Sequence, residues 1–327
     1  MKKAYINKKR PSALITGITG QDAHFMAHLL AAQGYEVHGT TRRSELEVHT
    51  LNHLPSSVHL HQLSLDDSTA ISALMKMLQP NEVFLLAARS SSTLLSDDAT
   101  QTATINGMSI LYFLEAIKNH SSKSRVCIAS SSEVFADSCI SPQNEDTAFR
   151  PINAYGAAKV FAMNCVQAYR RNHGLYACSA ILYNHESHLR DSHYVTRKVT
   201  STVARIKLQL EKKLFLGSLD GQRDWMHASD TVRCMALMLQ QPVPSDFVVG
   251  SGVLHSVGQL CQLAFAHVGL DYLEHVESHT DSTRRQEPVL LVADSRRAQT
   301  LLSWKPLIDF KTMICEMVDY DLRQLEK

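Results

Sequence analysis

The chain is short of several things, and each shortage removes a class of function. Its seven cysteines, at 127, 139, 165, 178, 234, 261 and 315, are scattered and include no C-x-x-C pair. An odd, unpaired set argues against a disulfide framework and predicts a reduced, cytoplasmic protein. No apolar run approaches the roughly 18 residues that span a bilayer, so no membrane partner is expected. The opening stretch MKKAYINKKR is basic but lacks the apolar core of a signal peptide. Surplus charge is also missing. The net is +1, which offers neither nucleic acid nor an anionic surface a complement. Repeats and low-complexity tracts are absent too. What remains is an ordinary globular composition, 44% hydrophobic and 20% charged over 327 residues. That length suffices for one large α/β domain with a smaller lobe.

Histidine is plentiful, at seventeen. The pairs His59/His61 in HLH and His185/His188 in HESH invite a metal reading. Neither has H-E-x-x-H spacing or a cysteine close by, so no metal is expected and solvated or core histidines explain them better.

Hydrophobic periodicity alternates through the first half. Strands are expected at 12–16, 35–39, 58–65, 81–88 and 124–130. Helices are expected at 22–32, 67–78 and 98–118. Strict strand–helix alternation implies right-handed crossovers and a parallel, doubly wound (Rossmann) sheet in an α/β fold. The run NEVFLLAA is nearly continuous in apolar residues, as in a strand buried on both faces. A helix at 153–171, a strand at 176–183 and a long basic helix at 194–213 follow. The expected division is a dinucleotide-binding domain at 10–184, with returning segments near 225–255. A smaller substrate-binding lobe falls mainly in 185–327.

ALITGITGQDA places Gly17, Gly20 and Ala23 between the first strand and the first helix. Two glycines let the chain turn sharply beside a pyrophosphate, and the small third residue lets helix pack on strand. A structural turn is the plain alternative. GTTRRS follows the second strand. An acid is usual there in NAD binders, whereas Arg42 and Arg43 suit a 2′-phosphate, which favours NADP over a merely solvated basic turn. SSSEVF sits just past a strand end and carries a carboxylate, Glu133, which reads either as a solvated loop charge or as a proton-transfer group. YGAAK puts Tyr155 and Lys159 four residues apart on one helix face. An ammonium there is expected to lower the phenol's pKa and make it a usable base.

These motifs, with GYEVHG, NHES, VTRK, ARIKL, GSLDGQRDW and WKP over nearly the whole chain, resemble the extended short-chain dehydrogenase/reductase family. Within its nucleotide-sugar branch they are similar to the GDP-mannose 4,6-dehydratase family. The resemblance implies catalytic positions at Ser131, Glu133, Tyr155 and Lys159. It implies cofactor contacts at Gly17, Thr19, Gly20, Gln21, Asp22, Arg42, Arg43, Leu65 and Ala87, joined by Tyr155 and Lys159. It implies substrate contacts at Asn184, Glu186, Arg190, Val195, Lys198, Arg223, Arg284 and Glu287. The implied activity turns GDP-mannose into GDP-4-keto-6-deoxymannose with NADP, in a homodimer or homotetramer.

The departures cluster near the cofactor. Ser64 stands where an Asp is usual. LLAARSS replaces NLAAQSH, bringing Leu85, Arg89 and Ser91. SHLRD replaces SPRRG, and RRQEPV replaces RPTEVD. A related reductase, epimerase or dehydratase acting on another sugar, and a non-catalytic nucleotide-binding paralogue, therefore stay open as alternatives.

Overall fold

The structure is a computed structural model and describes residues 10–43, 54–90, 98–278 and 290–326. Its first strands are β1 (Ser12–Thr16), β2 (Glu36–Thr41), β3 (His59–Gln62), β4 (Glu82–Leu85), β5 (Arg125–Ala129) and β6 (Tyr176–Leu182). With β10 (Phe247–Val249) they form a seven-stranded sheet in the order β10-β6-β5-β4-β1-β2-β3. β1 pairs in parallel with β2 and β4, β2 with β3, β4 with β5, and β6 with β10. The order reverses at β1, as a doubly wound sheet requires, and ligands of such folds bind beyond the carboxyl ends of the strands at this point. Every residue of β4 is buried, Glu82 included, which fits the nearly continuous apolar run around it.

Two helices differ from the periodicity. The expected helix at 98–118 is Ala99–Ala103, a π turn Thr104–Met108, and Ser109–His120. The long basic helix ends early, as Val195–Lys207, because Gln209 turns left-handed at φ 60°. Leu214 then opens the strand β8 (Leu214–Leu216).

The chain divides into two compact units. The first comprises Met1–Ala129, Ala158–Ser179 and Met238–Ser245. It carries strands β1–β5 and the glycine turn after β1. The second comprises Ser130–Ala157, Ala180–Leu237 and Asp246–Lys327. Within it, β7 (Asn184–Glu186) runs parallel to β9 (Gln222–His227), and β11 (Leu254–Ser256) runs antiparallel to β9. The helices Val195–Lys207, Val257–His267 and Phe310–Leu325 close a core over these strands, built from Val199, Trp225, Phe265, Phe310 and Met313 among others.

Candidate active site

β5 ends at Ala129, and the chain leaves it with Ser130 N–H donating to the Ala180 carbonyl at 2.7 Å. Ser131 then caps a single 3₁₀ turn, Ser132–Phe135, its Oγ accepting from Glu133 N–H at 3.3 Å. Val134 and Phe135 are fully buried. They pin the turn to the core and leave the Glu133 carboxylate half-buried at its exit. The apolar pair after the glutamate is therefore the anchor that fixes where the acid points.

A second support comes from the next helix, Ala154–His173. Asn153 caps it, its Oδ1 accepting from Gly156 N–H at 2.8 Å, while its Nδ2 donates to Glu133 Oε2 at 3.1 Å. One amide thus ties the helix start to the glutamate. Gly156 lies hard against the same turn. A Cβ there would stand 2.7 Å from the Glu133 carbonyl oxygen and 3.0 Å from Pro151 Cβ.

Tyr155 is buried and hydrogen-bonded to the Ser131 side chain. Burial pushes its pKa up to about 12, the Ser131 hydrogen bond works against that shift, and the charges of Tyr194 and Glu133 add to it. Lys159 is buried one helical turn on; its Nζ donates to the Ala129 carbonyl at 2.7 Å, and burial lowers its pKa to about 8. This corrects the expectation of a lysine-lowered phenol. Desolvation is the largest effect on the phenol, and Lys159 is not among the groups that shift it.

The first unit meets the physical demands of a dinucleotide. Gly17 is left-handed at φ 71°, and a Cβ there would come within 2.9 Å of Ala87 Cβ, so only glycine turns here. Gly20 N–H closes the turn on the Gly17 carbonyl at 2.9 Å. The helix Gln21–Ala32 starts at Gly20 with no side-chain cap, beside exposed Thr19 and Gly20. An uncapped helix start behind a glycine turn suits a pyrophosphate. Gln21 Nε2 donates to Asp22 Oδ1 at 3.2 Å. Arg42 and Arg43 are exposed just after β2, and Leu65 is buried. Asp67 caps the helix Ser68–Leu78, and Ser64 Oγ donates to Asp66, so both acids near the departed Ser64 already have partners.

Of the residues expected to contact substrate, Asn184 opens β7 and Glu186 ends it. Glu186 is 1% exposed; its Oε2 accepts from Thr196 Oγ1 at 2.6 Å and lies 3.3 Å from Arg190 Nε. Arg190 also packs its guanidinium over the Tyr194 ring at 3.5 Å. Val195 starts its helix half-buried, and Lys198 donates to the Phe215 carbonyl at 2.6 Å. Arg223 lies on β9 and donates to the Gln222 carbonyl at 2.7 Å. Arg284 and Glu287 lie outside the described residues, as do Ser44 and Ser91.

Asn153, Gly156 and Thr196 were missed by sequence reasoning. Asn153 had a legible signal, a cap residue before an alanine-rich helix. Thr196 had none, since its bond to Glu186 depends on the fold. The histidine pairs have local uses. His61 bonds His38 across β2 and β3 at 3.0 Å, and His185 bonds the Tyr183 carbonyl at 2.7 Å. Among the described residues no group of three or more His, Cys, Asp or Glu side chains suits a metal ion.

Residues 14–317 match the family model described as GDP-mannose 4,6 dehydratase. The chain belongs to the GDP-mannose 4,6-dehydratase family. GDP-mannose 4,6 dehydratase 1 of Arabidopsis thaliana is 39% identical over 330 residues, covering 97% of this chain and 91% of that protein. Among solved structures, UDP-glucose 4-epimerase of Thermotoga maritima with UDP-glucose superposes at TM-score 0.85 and 21% identity, over 96% of this chain and 99% of that one. dTDP-glucose 4,6-dehydratase of Bacillus anthracis, in complex with NAD, superposes at 0.82 and 15% identity, over 97% and 98%. RMD of Pseudomonas aeruginosa, complexed with NADPH, superposes at 0.80 and 19% identity, over 96% and 100%. These structural likenesses fix the fold. Family membership rests on the sequence matches.

Proposed function

We propose that this chain dehydrates GDP-mannose to GDP-4-keto-6-deoxymannose with NADP as a resident cofactor. The observation that carries the reading is the tethering of a phenol, a hydroxyl and a carboxylate in one unit. Tyr155 bonds Ser131, Ser131 caps the turn bearing Glu133, and Asn153 ties Glu133 to the Tyr155 helix. A plain reductase or epimerase has no use for the third group.

Ser131 and Tyr155 grip the C4 hydroxyl of the hexose, and Tyr155 takes its proton. When bound, an oxidised nicotinamide supplies the acceptor for the C4 hydride, its later return to C6, and a positive charge that favours the phenolate. Lys159, its Nζ donating to the Ala129 carbonyl, is assigned to holding the cofactor. Once C4 is a ketone, the C5 proton is acidic. Glu133 removes it and passes it to the departing C6 hydroxyl, which leaves as water; Tyr155 releases the C4 hydroxyl proton to solvent, and the carboxyl, reprotonated from solvent, protonates C5 on the return. Arg190, Lys198 and Arg223 are assigned to the nucleotide diphosphate and sugar, where guanidinium forks suit phosphate oxygens. Arg42 and Arg43 select the 2′-phosphate of NADP. The family's habit of assembly makes a homodimer or homotetramer the working form, which light scattering on the purified protein measures directly.

The test is direct. Purified protein incubated with GDP-mannose and NADP is followed by NMR. A 4-keto-6-deoxy product supports the reading, and its absence at any NADP concentration ends it.

A further inference from the structure

The segment after β4 is held more firmly than a loop requires. Thr16 Oγ1 accepts from the N–H groups of Leu86 and Ala87 at 3.0 and 3.1 Å. Asn106 then closes both backbone groups of Arg89. Arg89 N–H donates to Asn106 Oδ1 at 2.9 Å, and Asn106 Nδ2 donates to the Arg89 carbonyl at 3.0 Å. Asn106 is fully buried in the π turn Thr104–Met108, an irregularity that recurs at functional sites. Ala87, two residues before Arg89, is the residue that packs on Gly17. The Arg89 backbone is thus fixed beside the glycine turn.

The side chain is the opposite case. Its Nε is buried with no hydrogen-bond partner. None of the arginine ion pairs among the described residues uses it. A buried unpaired donor on a permanently charged group is costly, and a guanidinium is shaped to give paired N–H donors to phosphate oxygens. The related pattern carries a neutral glutamine at this place.

We propose that Arg89 binds the diphosphate of the dinucleotide cofactor, a charged contact that this chain adds to the glycine turn. The proposal rests on the cofactor reading above. It gives the chain a hold on the cofactor that is independent of the 2′-phosphate and compensates for adenine-side acids that are already engaged.

The test is calorimetric titration of nucleotide-stripped full-length protein with NADPH, with NADH and with GDP. Arg89→Gln is expected to weaken both by the same factor, about tenfold, as loss of one charge-assisted contact implies. It also flattens the salt dependence of binding. Arg42→Ala is expected to weaken NADPH alone. Arg89→Lys keeps the charge without the fork and gives an intermediate loss, which carries the test if glutamine is not tolerated. Unchanged affinity in Arg89→Gln overturns the proposal. So does a loss confined to NADPH, which places the guanidinium at the 2′-phosphate, or a loss confined to GDP. Wild-type protein that binds neither dinucleotide sinks the cofactor reading and this proposal with it.

Discussion

At Glu133 one carboxylate oxygen is bonded by Asn153, and the backbone beneath it is pinned by buried Val134 and Phe135. Replacing it by glutamine keeps size and the Asn153 contact but removes the base. Glu133→Gln is expected to lose turnover by about 10²–10⁴-fold, the usual worth of a positioned general base. In the proposed mechanism C4 oxidation does not need Glu133, so adding GDP-mannose to the NADP-loaded variant is expected to give a stoichiometric rise at 340 nm without keto-deoxy product. A variant that turns over normally removes Glu133 from the chemistry. Lys159 yields a second prediction. Its pKa falls from 10.5 to about 8 on burial. Below pH 8 the ammonium is charged in both states, and the folded state bears the full desolvation cost. Between pH 8 and 10.5 the folded lysine sheds its proton while the unfolded one keeps it, so this contribution to stability rises with pH across that window. Lys159→Met removes the buried charge, a relief of roughly 3 kcal/mol at neutral pH. The Ala129 carbonyl loses its partner at a cost of about 1 kcal/mol, which does not depend on pH. The melting-temperature difference between variant and wild type should therefore favour the variant most below pH 8 and shrink toward pH 10.5. A difference that is flat with pH refutes the buried-charge account. Activity is lost at every pH.

Elements set the spacing of these residues. The helix Ala154–His173 carries Tyr155 and Lys159 on one face, and that face was legible from the four-residue spacing alone. Its height above the Glu133 turn was not. It is set by Gly156, whose missing side chain lets the helix approach the Glu133 carbonyl. A glycine inside an alanine-rich helix was the only trace in the sequence. Gly156→Ala must displace backbone, since the nearest atom is a carbonyl oxygen. It is expected to cost about 1–3 kcal/mol of stability, as overpacking does, and to lower kcat more than cofactor affinity, because the glycine turn after β1 is untouched. Unfolding curves and separate cofactor titrations check the two halves; an alanine variant with wild-type kcat refutes the spacing argument. The strands were read closely because alternation and β-branched runs are local signals. The π turn was missed because it goes with long-range bonds from Asn106 to Arg89, and the early stop at Lys207 because it rests on a left-handed Gln209, a conformation glutamine does not advertise.

At the scale of the molecule, the chain passes between its two units at Ala129, Ala157, Ser179, Leu237 and Ser245. Segments returning to the first domain near 225–255 are expected from the sequence, but not the separate crossings at Ala129 and Ala157. Three regular elements straddle a boundary, the helix Ala154–His173 at Ala157, β6 at Ser179 and the helix Ala228–Leu239 at Leu237. A helix or strand does not melt halfway without giving up the hydrogen bonds on both sides of the break. Neither unit can therefore unfold alone, and excising either leaves three disconnected segments. One cooperative transition is expected by calorimetry. NADP at a hundredfold excess over its Kd should stabilise the whole transition by about 2.7 kcal/mol, and GDP should add its own increment if the sites are independent. Two resolved transitions, with NADP moving only one of them, would show that the shared helices and strand do not couple the units. The tethering of Glu133 to the Tyr155 helix would then have to survive melting of the first unit, and circular dichroism between the two transitions would report whether that helix remains.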